Sequence, residues 1–203
     1  MPSKIDEPIL SPRFALALQF ANQIHATQVR KGGTVPYIAH LMSVCALTLE
    51  FGGGEDEAIG ALLHDAAEDC GGRAMLKSVR TLFGPKVATI VEGCTDSFAA
   101  RKPNWRRRKE AYVAHLRTAP PSVKLVAGCD KLHNLTTTLR DLRANPGPDY
   151  WSRFTANAGE QAWYYGACAN ALEAAPASPV AGEFGRVFGE FQAILAGHGV
   201  AAG

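Results

Sequence analysis

Apolar residues recur at helical spacing along most of the chain, and no run alternates with period two for long enough to demand a sheet. Phe14, Leu18, Ala21 and His25 share one face of a helix predicted over Pro12 to Gln28. Ser11 is its N-cap and Pro12 sits in its first turn. The stretch Lys31 to Pro36, with Gly32-Gly33, breaks that helix. A second helix is predicted over Tyr37 to Phe51, ended by Gly52-Gly53-Gly54, and a third over Glu55 to Asp69, with acids in its first turn. Arg73 to Phe83 and Pro85 to Cys94 read as two short helices split by Gly84, followed by a loop through Pro103. Trp105 to Arg117 reads as a basic helix, and Pro120-Pro121 opens another that runs to about Ala144. Asn145-Pro146-Gly147-Pro148 is a strong stop. Tyr150 to Leu172 reads as one or two helices, and Ala174 to Ala181 as a linker. Phe184, Val187, Phe188, Phe191, Ile194 and Leu195 then form a packing stripe on a C-terminal helix over 182–197, with fraying expected from Gly197 onward. The expectation is an all-α globular array of about eight to ten helices in one domain spanning 1–203, with its core at 12–172.

Composition narrows the class. At 203 residues and 47% hydrophobic, the chain can bury a core without staples. A formal net charge of +2 argues against a dedicated nucleic-acid binder. Cys45, Cys70, Cys94, Cys129 and Cys168 contain no C-x-x-C pair, so neither a disulfide framework nor a zinc ribbon is expected, and a reducing cytoplasm is the simplest setting. The segment Met1 to Pro12 lacks a signal-peptide h-region, and no apolar run approaches membrane-spanning length.

Chemistry concentrates in Leu62-Leu63-His64-Asp65-Ala66-Ala67-Glu68-Asp69. On a continuous helix His64 lies under Glu68, and Asp65 under Asp69, about 5–6 Å apart. His64 and Asp65 can then share one ion, while the two acids one turn on can handle a water or a leaving oxygen. Imidazole with carboxylate suits Mn, Fe or Zn better than Mg or Ca. In Lys124 to Leu135, Asp130 shares a face with Asn134 and Thr137. An acid on so apolar a helix is costly to bury unless it is paired or bound to a metal. His25, His40 and His133 are equally available as further ligands by chemistry, and spacing does not choose among them.

Three ordered stretches carry a resemblance: Arg30 to His40, Ala61 to Asp69, and Asp130-Lys131-Leu132-His133-Asn134. Together with Phe83-Gly84 and Val91 to Thr95, they closely resemble the HD-type hydrolase domain of the RelA/SpoT family over roughly Arg13 to Leu172. The resemblance implies an HD-domain helical fold and a stand-alone small alarmone hydrolase. It implies His40, His64, Asp65 and Asp130 as ligands of one divalent ion, usually Mn²⁺, and Glu68 and Asp69 as the catalytic pair. It places Arg30 and Lys31 against the nucleotide and Asn134 and Thr137 near ribose and base. His25 and His133 keep a structural reading. The implied reaction is attack of water, its pKa lowered by the ion, on the phosphorus attached to the ribose 3′ oxygen of ppGpp or pppGpp, giving GDP or GTP and pyrophosphate. Glu68 and Asp69 orient the water and pass a proton to the leaving oxygen.

So anionic a substrate calls for cations, and Arg101, Lys102, Arg106, Arg107, Arg108 and Lys109 form a second basic cluster. Arg106, Arg107 and Arg108 are candidate substrate contacts, set against a plainly solvated helix face. The chain departs from the family pattern at Leu41, Cys70, Gly128-Cys129 and Gln161. Those departures bear on the base, and keep ppApp or pppApp as an alternative substrate and NADPH as a weaker one. Rival classes are a different HD-type nucleotide phosphohydrolase, a nucleotide-sensing domain without catalysis, and a nucleic-acid module resting only on the basic cluster.

Overall fold

Glycine and proline punctuation divides the residues that the computed structural model describes, 9–98, 104–144 and 148–197, into nine α-helices and one 3-10 helix. The helices are α1 (Pro12–Ile24), α2 (Ile38–Glu50), α3 (Glu55–Leu63), α4 (Ala66–Asp69), α5 (Gly72–Cys94), α6 (Trp105–Thr118), α7 (Pro121–Ala144), α8 (Ala158–Glu173) and α9 (Ala181–Gly197). The 3-10 helix, Pro148–Arg153, precedes α8. The only β feature among the described residues is an isolated antiparallel bridge between Val29 and Pro36. The all-α expectation therefore holds. Arg101, Lys102 and the Asn145-Pro146-Gly147 part of the stop lie outside the described residues.

Three boundaries differ from the sequence reading. α1 ends at Ile24, because the backbone N–H of His25 closes the last turn on Ala21 and residues 25–28 turn away. The helix expected to run from Glu55 to Asp69 is interrupted at His64 and Asp65, the residues whose side chains carry the chemistry. Tyr150 to Arg153 is a 3-10 turn rather than the start of an α-helix. The break at Gly84 is real: its φ of +90 is a left-handed conformation that glycine alone adopts freely, and it divides α5 into two helical arms.

Two helices form the interior. Every residue of α3 from Ala58 to Leu63 is buried, and α3 packs against α1, α2, α5 and α7. α7 packs against α2, α3, α5, α6, α8 and α9. Two buried polar groups on α7 are notable. Lys124 is fully buried and donates to the carbonyl oxygens of Ala174 (2.7 Å) and Pro176 (3.2 Å), which tethers the segment after α8. Asp130 faces the other way, toward α2 and the end of α3. That segment is itself packed: Val180 is fully buried, and a Cβ on Gly128 would strike Val180 Cγ1 and lie 3.1 Å from Leu172 Cδ2. The departure at Gly128 thus makes room for the chain between α8 and α9.

A similar close approach positions α3. A Cβ on Gly60 would lie 2.6 Å from Ile90 Cγ2 and 3.1 Å from Ile90 Cβ, on a fully buried β-branched side chain with little freedom to move. Gly60→Ala gains up to about 1 kcal/mol of helix propensity but overpacks the α3–α5 contact, which typically costs about 1–3 kcal/mol. The net expectation is a loss of up to about 2 kcal/mol in urea denaturation; a variant more stable than the parent contradicts that close approach.

Candidate active site

Three elements bring their polar residues to one point. His40 sits in the first turn of α2, His64 and Asp65 at the turn between α3 and α4, and Asp130 in the middle of α7. His40 and His64 are each 1% exposed and Asp130 5%, so these groups meet in a place that water barely reaches. One ligand atom each from His40, His64 and Asp65 lies within 4.8 Å of the others. His64 Nε2 is 3.0 Å from Asp65 Oδ2 and 3.5 Å from Asp130 Oδ1. His40 Nε2 is 3.2 Å from Asp130 Oδ1 and 3.8 Å from Asp65 Oδ2.

These are not ordinary ion pairs. Both Nε2 atoms are buried and neither makes a hydrogen bond, despite oxygens so close by. His64 Nδ1 lies 2.8 Å from the carbonyl oxygen of Ala61, an acceptor only, so that nitrogen carries the ring hydrogen and Nε2 is left as the donor atom toward a cation. Ligands held about 2.1 Å from a common ion lie roughly 3.0–3.4 Å from one another, and the separations here straddle that range. The residues fit a divalent metal.

Further contacts fix the donor atoms. Tyr37 Oη donates to Asp65 Oδ2 at 2.5 Å, and Asn134 Nδ2 donates to Asp130 Oδ1 at 2.6 Å. The Lys131 ammonium donates to Asp130 Oδ2 and lies over the Tyr112 ring. Burial pushes the Tyr37 hydroxyl up, and Asp65 pushes it the same way, so it remains a donor. Burial opposes charge on both acids. It is outweighed at Asp65 by His64, and at Asp130 by Lys131 and His64, so both stay below the usual carboxylate range. Burial also opposes the protonated form of His64, yet Asp65 and Asp130 raise its pKa well above the usual value. At His40 burial prevails and lowers it.

The acids predicted as a catalytic pair stand beside this cluster. Glu68 is half-buried and accepts from the backbone N–H of Asp96 (3.2 Å). Asp69 is exposed, and its Oδ2 accepts from Gln28 Nε2 at 2.8 Å. Gln28 Oε1 in turn lies 2.6 Å from His25 Nδ1. The early end of α1 is what lets Gln28 reach Asp69.

A cavity of about 570 Å³ opens alongside, and His40 is part of its wall. Arg30, Lys31, Asn134 and Thr137, all singled out in the sequence, line it. Arg30 Nη2 donates to Asn134 Oδ1 at 2.7 Å and lies over the Tyr37 ring. Tyr150, Arg153 and Phe154, from the 3-10 helix and the residue after it, also line the cavity, and no motif in the sequence marks them. Arg153 stacks on Tyr150 at 3.9 Å and pairs with Asp141 at 3.0 Å, while Lys31 faces Phe154 at 5.4 Å. Their only sequence signal was an aromatic and basic cluster after the Pro/Gly stop. Gln161 does not line the cavity, whereas Tyr150 and Tyr165 do.

The second basic cluster lies elsewhere. Arg106, Arg107 and Arg108 are absent from the cavity wall. Arg106 stacks on Trp163 at 3.3 Å and bonds Glu110 at 2.9 Å, and Arg107 is exposed. Arg108 and Lys109 hold Asp96, whose backbone N–H meets Glu68.

Residues 17–155 match the HD domain family. The chain belongs to the HD-domain family. HD-domain hydrolases bind a divalent metal, and the His40, His64 and Asp65 cluster of this HD domain is the counterpart in kind. The HD domain is similar to the guanosine-3′,5′-bis(diphosphate) 3′-pyrophosphohydrolase of Drosophila melanogaster, 33% identical over 70% of this chain and 76% of the fly protein. It is 35% identical, over 60% of its length, to a probable enzyme of the same name from Synechocystis. It spans only 16% of that longer relative and 18% of the bifunctional (p)ppGpp synthase/hydrolase SpoT of Escherichia coli, to which it is 32% identical. Among solved structures, a metazoan SpoT orthologue described as hydrolysing ppGpp matches with a TM-score of 0.66 and 26% identity, covering 97% of this chain and 100% of that one. A Listeria monocytogenes protein matches with a TM-score of 0.64 and 26% identity, covering 77% of this chain and 99% of its own.

The raised His64 and lowered His40 predict how this HD domain takes up metal. Below its raised pKa, His64 Nε2 holds a proton that an ion must displace, while His40 is already neutral. Metal uptake then releases protons, and apparent affinity rises with pH. Mn²⁺ titration calorimetry in buffers of different ionisation enthalpy reads this directly; proton-free, pH-independent binding between pH 6 and 8 contradicts it.

Proposed function

We propose that the protein is a divalent-metal-dependent hydrolase of the 3′-pyrophosphate of alarmone nucleotides, converting ppGpp or pppGpp to GDP or GTP and pyrophosphate. One observation carries the reading: His40 belongs both to the metal-ligating cluster and to the wall of a cation-lined cavity of nucleotide size. The cavity's cations suit a polyanion and its aromatic rings suit a base.

His40, His64, Asp65 and Asp130 would hold the ion; two imidazoles and two carboxylates suit Mn, Fe or Zn, and the family resemblance favours Mn²⁺. When bound, the ion supplies Lewis acidity, lowering the pKa of water and neutralising phosphate charge. Tyr37 and Asn134 keep Asp65 and Asp130 aimed inward. Arg30 and Lys31 bind the phosphates, Arg30 exchanging its bond with Asn134 for a phosphate oxygen. Thr137 and the Tyr150 and Phe154 rings take ribose and base. Glu68 and Asp69 orient the attacking water, accept its proton and return one to the ribose 3′ oxygen as the bond from that oxygen to phosphorus breaks. Arg108 and Lys109 contribute through Asp96, which braces Glu68, rather than by touching substrate. The chain works as one hydrolase unit over 1–203, in the cytoplasm.

The test incubates Mn²⁺-loaded protein with ppGpp, pppGpp, ppApp and NADPH and separates the nucleotide products by ion exchange. Release of pyrophosphate with GDP, GTP or their adenine counterparts is the expected result, and turnover of none of the four contradicts the reading. Asp65→Ala abolishes both Mn²⁺ uptake and turnover. Glu68→Gln and Asp69→Asn keep the metal and lose about 10²–10⁴-fold in kcat. Parental turnover by Asp65→Ala rejects the site.

A further inference from the structure

His133 lies outside every role described so far, yet it touches the metal cluster and the cavity together. Its Nδ1 is 2.8 Å from His40 Nδ1, and the two ring centroids are 4.9 Å apart. His133 is also part of the cavity wall, one residue before Asn134 and three after Asp130. On α7, Asp130, His133, Asn134 and Thr137 follow at i, i+3, i+4 and i+7, so one helix face carries all four.

Two ring nitrogens at that distance need one hydrogen between them. One must donate and the other accept. His40 Nε2 is the buried nitrogen that faces Asp65 and Asp130 without a hydrogen bond, so it is the ligating atom and carries no hydrogen. In a neutral imidazole the hydrogen is then on His40 Nδ1, which donates to His133 Nδ1. The tautomer of His133 follows: its own hydrogen is on Nε2. A ring fixed in this way has a donor to offer on its second nitrogen, and it sits one residue before Asn134, whose partner Arg30 is expected to take phosphate.

We propose that His133 is a positioning residue linking the metal centre to the substrate cavity: its Nδ1 holds His40 in the tautomer that ligates through Nε2, and its Nε2–H donates to an anionic group in the cavity. The outer partner of a ligating histidine fixes ring orientation and raises ligand basicity, and here that partner is a second imidazole with a free donor. Occupation of either site then stiffens the ring that serves the other, and by linkage each favours the other. Only the substrate half rests on the hydrolase reading.

Two variants separate the ends of the ring. His133→Asn places an amide oxygen about where Nδ1 lies and keeps the acceptor for His40, but does not reach as far as Nε2. His133→Phe removes both functions. By calorimetry on protein stripped with chelator, His133→Phe should bind Mn²⁺ about 10–100-fold more weakly, while His133→Asn stays within about threefold of the parent. For turnover of ppGpp at saturating Mn²⁺, His133→Asn should raise KM and leave kcat within a few fold. Long-range proton–nitrogen NMR of the Zn²⁺-loaded parent needs no variant: it should show His40 as the Nδ1–H form and His133 as the Nε2–H form. Parental Mn²⁺ affinity in His133→Phe, equal weakening in both variants, or a His133 Nδ1–H tautomer overturns the proposal. A parent that takes up Mn²⁺ but turns over no nucleotide defeats the hydrolase reading instead, and the metal and NMR results still decide the role of His133.

Discussion

Two carboxylates, half-buried Asp65 and buried Asp130, face two buried imidazoles, and the pairs do not satisfy each other by hydrogen bonds. Burying charge without a partner is costly, so an arrangement of this kind persists only if something positive completes it. Lys131 neutralises one oxygen of Asp130, and Tyr37 and Asn134 donate to the oxygens facing the histidines. Without an ion a proton on His64 supplies that positive charge, and a divalent cation between His40, His64 and the two acids takes its place. The site chemistry and the proton linkage both descend from that exchange.

The fold meets it by bringing three distant stretches to one depth. α7 runs through the interior and delivers Asp130, His133, Asn134 and Thr137 on one face. α3 is buried from Ala58 to Leu63 and ends at the turn that presents His64 and Asp65. The turn between Arg30 and Val35, closed by the Val29–Pro36 bridge, sets Arg30 and Lys31 on the cavity wall just before α2 begins. Gly32, with φ of +76, lets that turn lie against Arg153. His40 and Asp130 sit on helices, His64 and Asp65 at the short turn between two, and the phosphate contacts largely on a loop, an arrangement that holds the ligands rigidly and leaves the substrate contacts room to adjust.

Much of this was legible in the sequence because it is local. Gly52 to Gly54, Gly71-Gly72 and Pro120-Pro121 mark real boundaries, and Gly84 marks a real break. Arg30, Lys31, Asn134 and Thr137 do gather around one cavity. The misses are tertiary. The interruption at His64 and Asp65 leaves no trace in periodicity, since both residues keep right-handed backbone angles. Gln28 was counted as helix, yet the turn after α1 carries it to Asp69. Arg106 and Arg108, candidate substrate contacts by charge, are instead paired with Trp163 and Asp96, partners far from them in the chain. The wall made by Tyr150, Arg153 and Phe154 depends on where a 3-10 turn packs against the Gly32 turn, which no spacing along the chain encodes.

The most direct measurement is an anomalous difference map from crystals soaked in Mn²⁺. The account predicts a single strong peak within bonding distance of His40 Nε2, His64 Nε2, Asp65 Oδ2 and Asp130 Oδ1. No peak among those four atoms at saturating Mn²⁺, or one bound only by surface acids, contradicts it.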